Sequence, residues 1–156
     1  MNKFTIPGKV KQLNATIVAP ELAGLRLVLN ACAQNGKFET PLETLLTKRW
    51  SKVKTDYKEW YATQHNFKPG SLHSTAVASD TWTVSMLVKD KDGVVSEDAV
   101  KLAVKKLAVM VKDERGSSLH VSNLLVAEIP QLPELLMTNI VEAGVNVYYY
   151  TEPSQK

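Results

Sequence analysis

The hydrophobic pattern begins most clearly with an uninterrupted apolar stretch, 26-RLVLNACA-33. It is rich in β-forming residues and lacks polar alternation, as is typical of a strand buried on both faces of a sheet. A loop follows, and then Thr40, Pro41 and Glu43 have the spacing of a capping box with proline at the first helical position. This spacing predicts that a helix begins at Pro41.

Farther along, aromatic residues alternate with lysines at helical spacing. The positions spaced as one buried helix face are Trp50, Val53, Tyr57, Trp60 and Tyr61. The basic residues beside and between these positions are Lys48, Arg49, Lys52, Lys54 and Lys58. We interpret the basic residues as the solvated face of a helix. A patch that contacts phosphates is the alternative interpretation, and it requires an exposed aromatic residue.

Strands and helices alternate through the rest of the pattern. An opening strand is predicted in residues 3–13, with a bend at Pro7-Gly8. The later predicted strands are 74–77, 81–88, 118–127 and 145–151. The later predicted helices are 99–114, capped by Ser96, and 132–143, ended by Gly144. Helices of this length between strands favour a mixed or mostly parallel sheet that is covered on both faces.

Composition indicates one globular domain spanning residues 1–156, because 44% apolar and 22% charged residues are ordinary for such domains. No apolar stretch reaches the ~20 residues that span a bilayer, and the N-terminus lacks an apolar signal-peptide core, so we expect no membrane association and a cytoplasmic location. The lone Cys32 and the scattered His65, His73 and His120 show no metal-ligand spacing. We therefore expect neither a metal nor a cofactor. A net charge of +3 is too small to favour nucleic acid as a partner.

Five segments carry a resemblance to a known family: LVLNACAQNGKFETPLETLLTKRWSKVKTDYKEW, DTWTVSMLV, AVKLAVKKLAVMV, SLHVSNLLVAEI and LPELLMTNIVEAGVNVYYY. In order and pattern they resemble a macrodomain, in particular the small stand-alone macrodomains of bacteria and phages. The resemblance implies a three-layer α/β fold, with a mixed, mostly parallel sheet and helices on both faces. It also implies binding of ADP-ribose or a derivative, whose diphosphate lies between two loops at the carboxyl ends of strands.

The same resemblance supplies the candidate ligand residues. Asn30 matches the family's strand-end asparagine, and Gly36 matches the first glycine of the first loop. Each also has a structural alternative: an asparagine that bonds neighbouring backbone, and a turn glycine. With their neighbours, the predicted ligand-binding residues are Asn30, Gln34, Asn35, Gly36, Lys37 and Asn123.

The ligand loops also depart from the family pattern. Where the family has a Gly-Asp pair that reads adenine, we align Gly8-Lys9, and lysine cannot accept a hydrogen bond. Further loop glycines align with Glu39 and Pro41, which place a carboxylate near the diphosphate and remove an amide. The second loop, 121-VSNLLVAEI-129, contains no glycine for close approach to phosphate.

Three functions follow from these observations. The chain binds an ADP-ribose-related nucleotide in a remodelled pocket, it has lost the ligand and acts through a protein partner, or it hydrolyses ADP-ribose derivatives. No catalytic residue is assigned from the sequence. Cys32 is interpreted as a buried apolar residue, and the loop carboxylates Glu39 and Asp80 are either solvated or a pair for hydrolysis.

Overall fold

A six-stranded sheet with strand order β1–β6–β5–β2–β4–β3 organises the chain in the computed structural model, which describes residues 6–20 and 24–152. Residues 3–5 of the predicted opening strand lie outside the described residues. The strands are β1 (Val10–Leu13), β2 (Arg26–Ala33), β3 (Leu72–Ala78), β4 (Thr81–Lys89), β5 (Ser118–Ser122) and β6 (Val147–Tyr150). The helices are α1 (Pro41–Arg49), α2 (Lys52–Thr63), α3 (Glu97–Asp113), α4 (Asn123–Glu128) and α5 (Leu132–Leu136), followed by a π-helical turn at Met137–Val141.

All neighbouring strands run parallel except the edge strand β3, which pairs antiparallel with β4. Helices α1 and α2 contact each other, with α1 also touching α4, whereas α3 packs against β4, α5 and the π-helical turn. The predicted mixed, mostly parallel α/β architecture is confirmed. Because the carboxyl ends of parallel strands meet at one edge, the loops after β2, β4, β5 and β6 are neighbours.

The centre of the core is β2, whose residues are fully buried from Leu27 to Cys32. Its neighbours β4 and β5 cover both backbone edges, and the helices cover both faces. An apolar strand without alternation fits this position because neither face of it meets water. The sequence boundaries of this strand, 26–33, agree with the structure.

The helix predicted to begin at Pro41 does begin there. Thr40 Oγ1 accepts from the amide of Glu43 at 3.1 Å, and Glu43 Oε1 accepts from the amide of Thr40 at 3.3 Å, which completes the capping box. The chain leaves helical geometry at Trp50 and resumes it at Lys52. Of the aromatic residues predicted to be buried, Tyr61 is 38% exposed, so its placement on the buried face was wrong.

The strand predicted at 118–127 ends early. Ser122 accepts a hydrogen bond from the amide of Leu124 at 3.1 Å and caps α4, so the segment from Asn123 onward is helical. A serine that bonds the backbone two residues ahead competes with strand pairing. Leu125 and Ile129 are buried in the helix, as they would be in a strand, so apolar content alone could not distinguish the two.

The predicted C-terminal helix consists of α5 and the π-helical turn. Gly144, with φ +98°, follows it and terminates it. That conformation is one that glycine adopts without steric cost, as the sequence predicted. In the described ranges, no helix combines the length and apolarity that crossing a membrane requires.

His120 forms a buried hydrogen-bonded chain on β5. Its Nε2 lies 2.7 Å from Ser118 Oγ, and its Nδ1 lies 2.6 Å from the Tyr150 hydroxyl of β6. Burial, with a smaller contribution from the Arg26 charge, lowers the pKa of His120 from 6.5 to about 4. The imidazole is therefore neutral in the folded protein at neutral pH.

Acid should destabilise the protein through this histidine. Between pH 6.5 and pH 4 the unfolded chain takes up a proton on His120 and the folded chain does not, so the free energy of unfolding falls as pH falls. At about 1.4 kcal/mol per pKa unit, the loss reaches about 3 kcal/mol at pH 4. Urea unfolding at a series of pH values measures this loss of the free energy of unfolding. His120→Gln should flatten the slope; a slope in this variant equal to that of the unsubstituted protein would contradict the assignment to His120.

Trp60 should contribute strongly to stability. It is 6% exposed, contacts Phe67 edge to face, and stacks on His73. Trp60→Ala is expected to cost about 3–5 kcal/mol, because the cavity it leaves is only partly refilled. Chemical denaturation measures the loss, and Tyr61→Ala on the exposed side of the same helix should cost clearly less. A loss below about 1 kcal/mol for Trp60→Ala would contradict the orientation of α2.

Candidate functional site

A polar cleft of about 260 Å³ opens at the carboxyl ends of β2 and β4. Open α/β sheets bind ligands at this edge, where neighbouring connections leave the sheet in different directions. Larger cavities of about 360 and 610 Å³ border the start of the edge strand β3, one against α2 and the other against α3. The cleft is lined by Ala33, Asn35, Lys37, Glu39, Thr40, Glu43, Lys89, Gly93 and Glu128.

A buried ion pair lies within the cleft. Lys89 is the last residue of β4 and is only 4% exposed. Its Nζ donates to Glu128 Oε1, at the end of α4, over 2.5 Å. Removing an ammonium from water costs several kcal/mol unless a charge and hydrogen bonds compensate it. Glu128 supplies that compensation and thereby fixes the end of α4 over the end of β4.

Glu43 is a second buried carboxyl of the cleft, 2% exposed. Oε1 accepts from the Thr40 amide at 3.3 Å, and Oε2 accepts from Asn30 Nδ2 at 3.3 Å. Burial raises the pKa of Glu43 above its ordinary value, while the positive charge of Lys89 and these hydrogen bonds act in the opposite direction. The carboxyl is therefore held in one orientation by the capping box that starts α1.

The sequence alignment implied that Asn30 stands at a strand end, and the structure shows that it does not. It lies in the middle of β2, is fully buried, and donates to Glu43 and, at 3.4 Å, to Ser85 Oγ. Its Oδ1 has no hydrogen-bond partner among the described residues. Asn30 supports Glu43 from below and does not line the cleft.

The backbone groups of Gly36 already have partners within the protein. The Tyr57 hydroxyl accepts from the Gly36 amide at 3.0 Å and donates to the Ala33 carbonyl at 2.5 Å, while Lys58 Nζ donates to the Gly36 carbonyl. The Tyr61 ring lies so close that a Cβ at Gly36 would stand 2.8 Å from it. We call Tyr57, Lys58 and Tyr61 the α2 clamp. The clamp occupies both backbone groups of Gly36, and a role of Gly36 in ligand binding stays a prediction.

The remaining predicted residues divide between the cleft and its surroundings. Asn35 lines the cleft, but Oδ1 accepts from the Lys37 amide at 2.9 Å and Nδ2 donates to the Lys91 carbonyl at 3.3 Å. Lys37 lies exposed on the cleft wall. The Gln34 backbone amide donates to the Lys89 carbonyl at 3.1 Å, and Gln34 does not line the cleft. Asn123 starts α4 at the end of β5 and also does not line the cleft.

Gly8-Lys9 was aligned with the family's Gly-Asp pair, which follows the opening strand, and this alignment was wrong. Both residues precede β1, at the edge opposite the cleft. A Cβ at Gly8 would lie 2.0 Å from the Val145 carbonyl oxygen, and the Lys9 amide bonds Asn146 Oδ1 at 2.8 Å. After β1, the Ile17 amide donates to Glu152 Oε2 at 2.9 Å, so the chain's own carboxylate binds this loop.

Glu39 and Asp80 do not form a pair. Asp80 binds Arg26 at 2.7 Å beside the amino end of β4, whereas Glu39 is on the cleft wall at the opposite end of the strands. Within the described residues, no group of histidine, cysteine, aspartate and glutamate could hold a metal ion. The charged groups that meet in the cleft are instead Lys89, Glu128 and Glu43, which sequence reasoning missed. Only the capping role of Glu43 carried a signal in the sequence.

Comparison with known proteins identifies the architecture. No protein-family model matches the chain, and no curated protein matches it. Among solved structures, a macrodomain protein from Streptomyces coelicolor aligns over 93% of this chain and 100% of its own, at 17% identity and a TM-score of 0.85.

Two further structures agree with this match. The macrodomain of Thermus aquaticus DarG aligns over 93% of this chain and 99% of its own, at 13% identity and a TM-score of 0.73. Thermosipho africanus DarTG, in complex with ADP-ribose, aligns over 95% of this chain and 43% of its own, at 12% identity and a TM-score of 0.70. Strand order, helix placement and these alignments together show that the chain has a macrodomain fold.

Proposed function

We propose that the chain binds a nucleotide of the ADP-ribose class, with the terminal ribose in the cleft beside Lys89. The fold supports this proposal, since a structure of similar architecture, that of Thermosipho africanus DarTG, contains ADP-ribose. The position of the cleft supports it as well, because it lies at the carboxyl edge of the sheet.

The observation that carries the proposal is the Lys89 ammonium in a polar cleft. An ammonium has three N–H donors, and Glu128 accepts from one of them at 2.5 Å. The hydroxyl groups of a ribose are both acceptors and donors. They can therefore accept from Lys89 and donate to carboxylates on the cleft wall, such as Glu39.

The size of the cleft restricts what enters it. Pockets that enclose a whole drug-sized ligand measure about 300–1,000 Å³, and this one measures about 260 Å³. One sugar fits this space better than a complete dinucleotide. The rest of the ligand then lies outside the cleft, with Lys37 as an exposed cation on the cleft wall.

The phosphates find few backbone donors. The Gly36 amide is bonded to Tyr57, and the segment expected to be a second phosphate loop is the capped helix α4. Each lost contact costs about 1.5–3 kcal/mol, so losing two weakens binding by about two to four decades. Plain ADP-ribose is therefore a weak ligand.

Hydrolysis of ADP-ribose derivatives is a second candidate, and an exposed carboxylate on the cleft wall, that of Glu39, favours it. A carboxylate beside a bound sugar can act as a general base on a water molecule. Glu39 takes a proton from the water, the water oxygen attacks the anomeric carbon of the ribose, and the bond to the leaving group breaks with its electron pair. Glu39 then passes the proton to the leaving group, and the free sugar is released.

Binding of ADP-ribose should be weak and should depend on Lys89. Isothermal titration calorimetry is expected to give a dissociation constant above the micromolar range, and Lys89→Met should abolish binding. Lys91→Met, at an exposed lysine two positions away, should leave it unchanged. A micromolar or tighter constant would contradict the role of the α2 clamp, and binding that survives Lys89→Met would contradict the location. No binding of ADP-ribose or its derivatives would favour the alternative of a protein partner.

Tyr57→Phe should improve the affinity for ADP-ribose. Removing the hydroxyl frees the Gly36 amide for a phosphate, and the added hydrogen bond should tighten binding about tenfold. The same change leaves two buried backbone groups without a partner, so the free energy of unfolding should fall by about 2 kcal/mol. Tyr61→Phe keeps the ring over Gly36 and is the matched control. Unchanged affinity in Tyr57→Phe would show that the Gly36 amide does not face the ligand.

A further inference from the structure

The cleft contains two carboxyl groups at its depth and one buried ammonium. Lys89 contacts Glu128 directly, while the Glu43 carboxyl lines the same small cavity without a direct ion pair. Both Glu43 and Lys89 are nearly inaccessible to water, at 2% and 4% exposure. Their charges therefore interact more strongly than charges on the surface do.

The two carboxyls differ in how firmly they are held. Both oxygens of Glu43 have partners, the Thr40 amide and Asn30 Nδ2, and the residue stands in the first turn of the nine-residue helix α1. Glu128 is 24% exposed at the end of the six-residue helix α4, and Lys89 is the partner that the structure gives its carboxylate. A ligand in the cleft can displace Glu128 from Lys89 far more easily than it can move Glu43.

We propose that Glu43 is a positioning residue, the fixed partner to which the Lys89 ammonium turns when a ligand displaces Glu128. The proposal rests on the proposed function, because it concerns the same cleft in its occupied form. Lys89 keeps a carboxylate partner throughout, so the ammonium stays at the bottom of the cleft. The released Glu128 is then free to contact the ligand.

Several charged or titratable groups act on Glu43. Cys32 on β2, Tyr57 on α2 and Lys89 on β4 interact with it electrostatically, and Lys37 and Glu39 stand on the cleft wall. Burial raises the pKa of both Cys32 and Tyr57, so these two remain neutral in the physiological range. Lys89 is therefore the cation positioned to respond when Glu128 is removed.

Glu128→Gln imitates the displacement without any ligand. Carbon-detected NMR of the side-chain carboxyls across a pH titration should show that the pKa of Glu43 falls by about one pH unit or more in this variant, because Lys89 now pairs with it. Glu39→Gln also removes one negative charge from the cleft but leaves the Lys89–Glu128 pair intact, so it should lower that pKa much less. Equal shifts in the two variants, or no shift in Glu128→Gln, would overturn the proposal.

A double-mutant cycle gives an independent result. Glu43→Gln keeps the capping box, since glutamine also serves at this position, and its amide nitrogen can donate to Asn30 Oδ1 after the Asn30 side-chain amide flips. Urea unfolding should show that Glu43→Gln and Glu128→Gln together lose more stability than the sum of the single losses, because only the double variant leaves Lys89 without a carboxylate. Additive losses would overturn the proposal. Neither measurement uses a ligand, so their failure is distinct from a failure of ADP-ribose to bind.

Discussion

A buried ammonium at the carboxyl edge of the sheet determines much of the local structure. Lys89 ends β4 at a position where water is excluded, and an uncompensated charge there would destabilise the fold by several kcal/mol. Glu128 compensates it and fixes the end of α4 over β4. The Lys89 carbonyl binds the Gln34 amide, which ties the loop after β2 to the same point. The walls of the cleft are thus arranged around one charge.

The second feature of the site is that two backbone amides near it, those of Gly36 and Leu124, already have side-chain partners. In a loop that binds phosphate, amides point toward the ligand and remain unpaired until it arrives. Here the Tyr57 hydroxyl bonds the Gly36 amide, and the Ser122 hydroxyl caps the helix that replaces the second loop. The overall fold matches that of macrodomains, while these two amides are bonded within the protein. Fold and ligand chemistry are therefore separate questions in this protein.

These features give the cleft a rigid side and a movable side. The rigid side consists of Glu43, Asn30 and the loop held by the α2 clamp, all of which are fixed by several hydrogen bonds. The movable side is Glu128, at the end of a short helix. A ligand that exchanges places with Glu128 need not disturb the core.

The sequence by itself determined the elements whose cause is local. The buried strand 26–33 and the helix start at Pro41 follow from periodicity and capping, so their bounds could be predicted from neighbouring residues. Four of the six predicted ligand residues lie in the loop after β2, and two of these, Asn35 and Lys37, do line the cleft. The helix α4 was missed because an apolar run is buried in either conformation, and only the Ser122 cap decides between them.

The tertiary structure alone decided which charges meet. Lys89 and Glu128 are separated by 39 positions, and Gly36 and the Tyr57 hydroxyl by 21. Nothing in the local pattern distinguishes Lys89 from an ordinary lysine at the end of a strand, or Tyr57 from an aromatic residue of the core. Their roles arise because packing buries the Lys89 and Tyr57 side chains, and a buried donor or charge must find its partner within the protein.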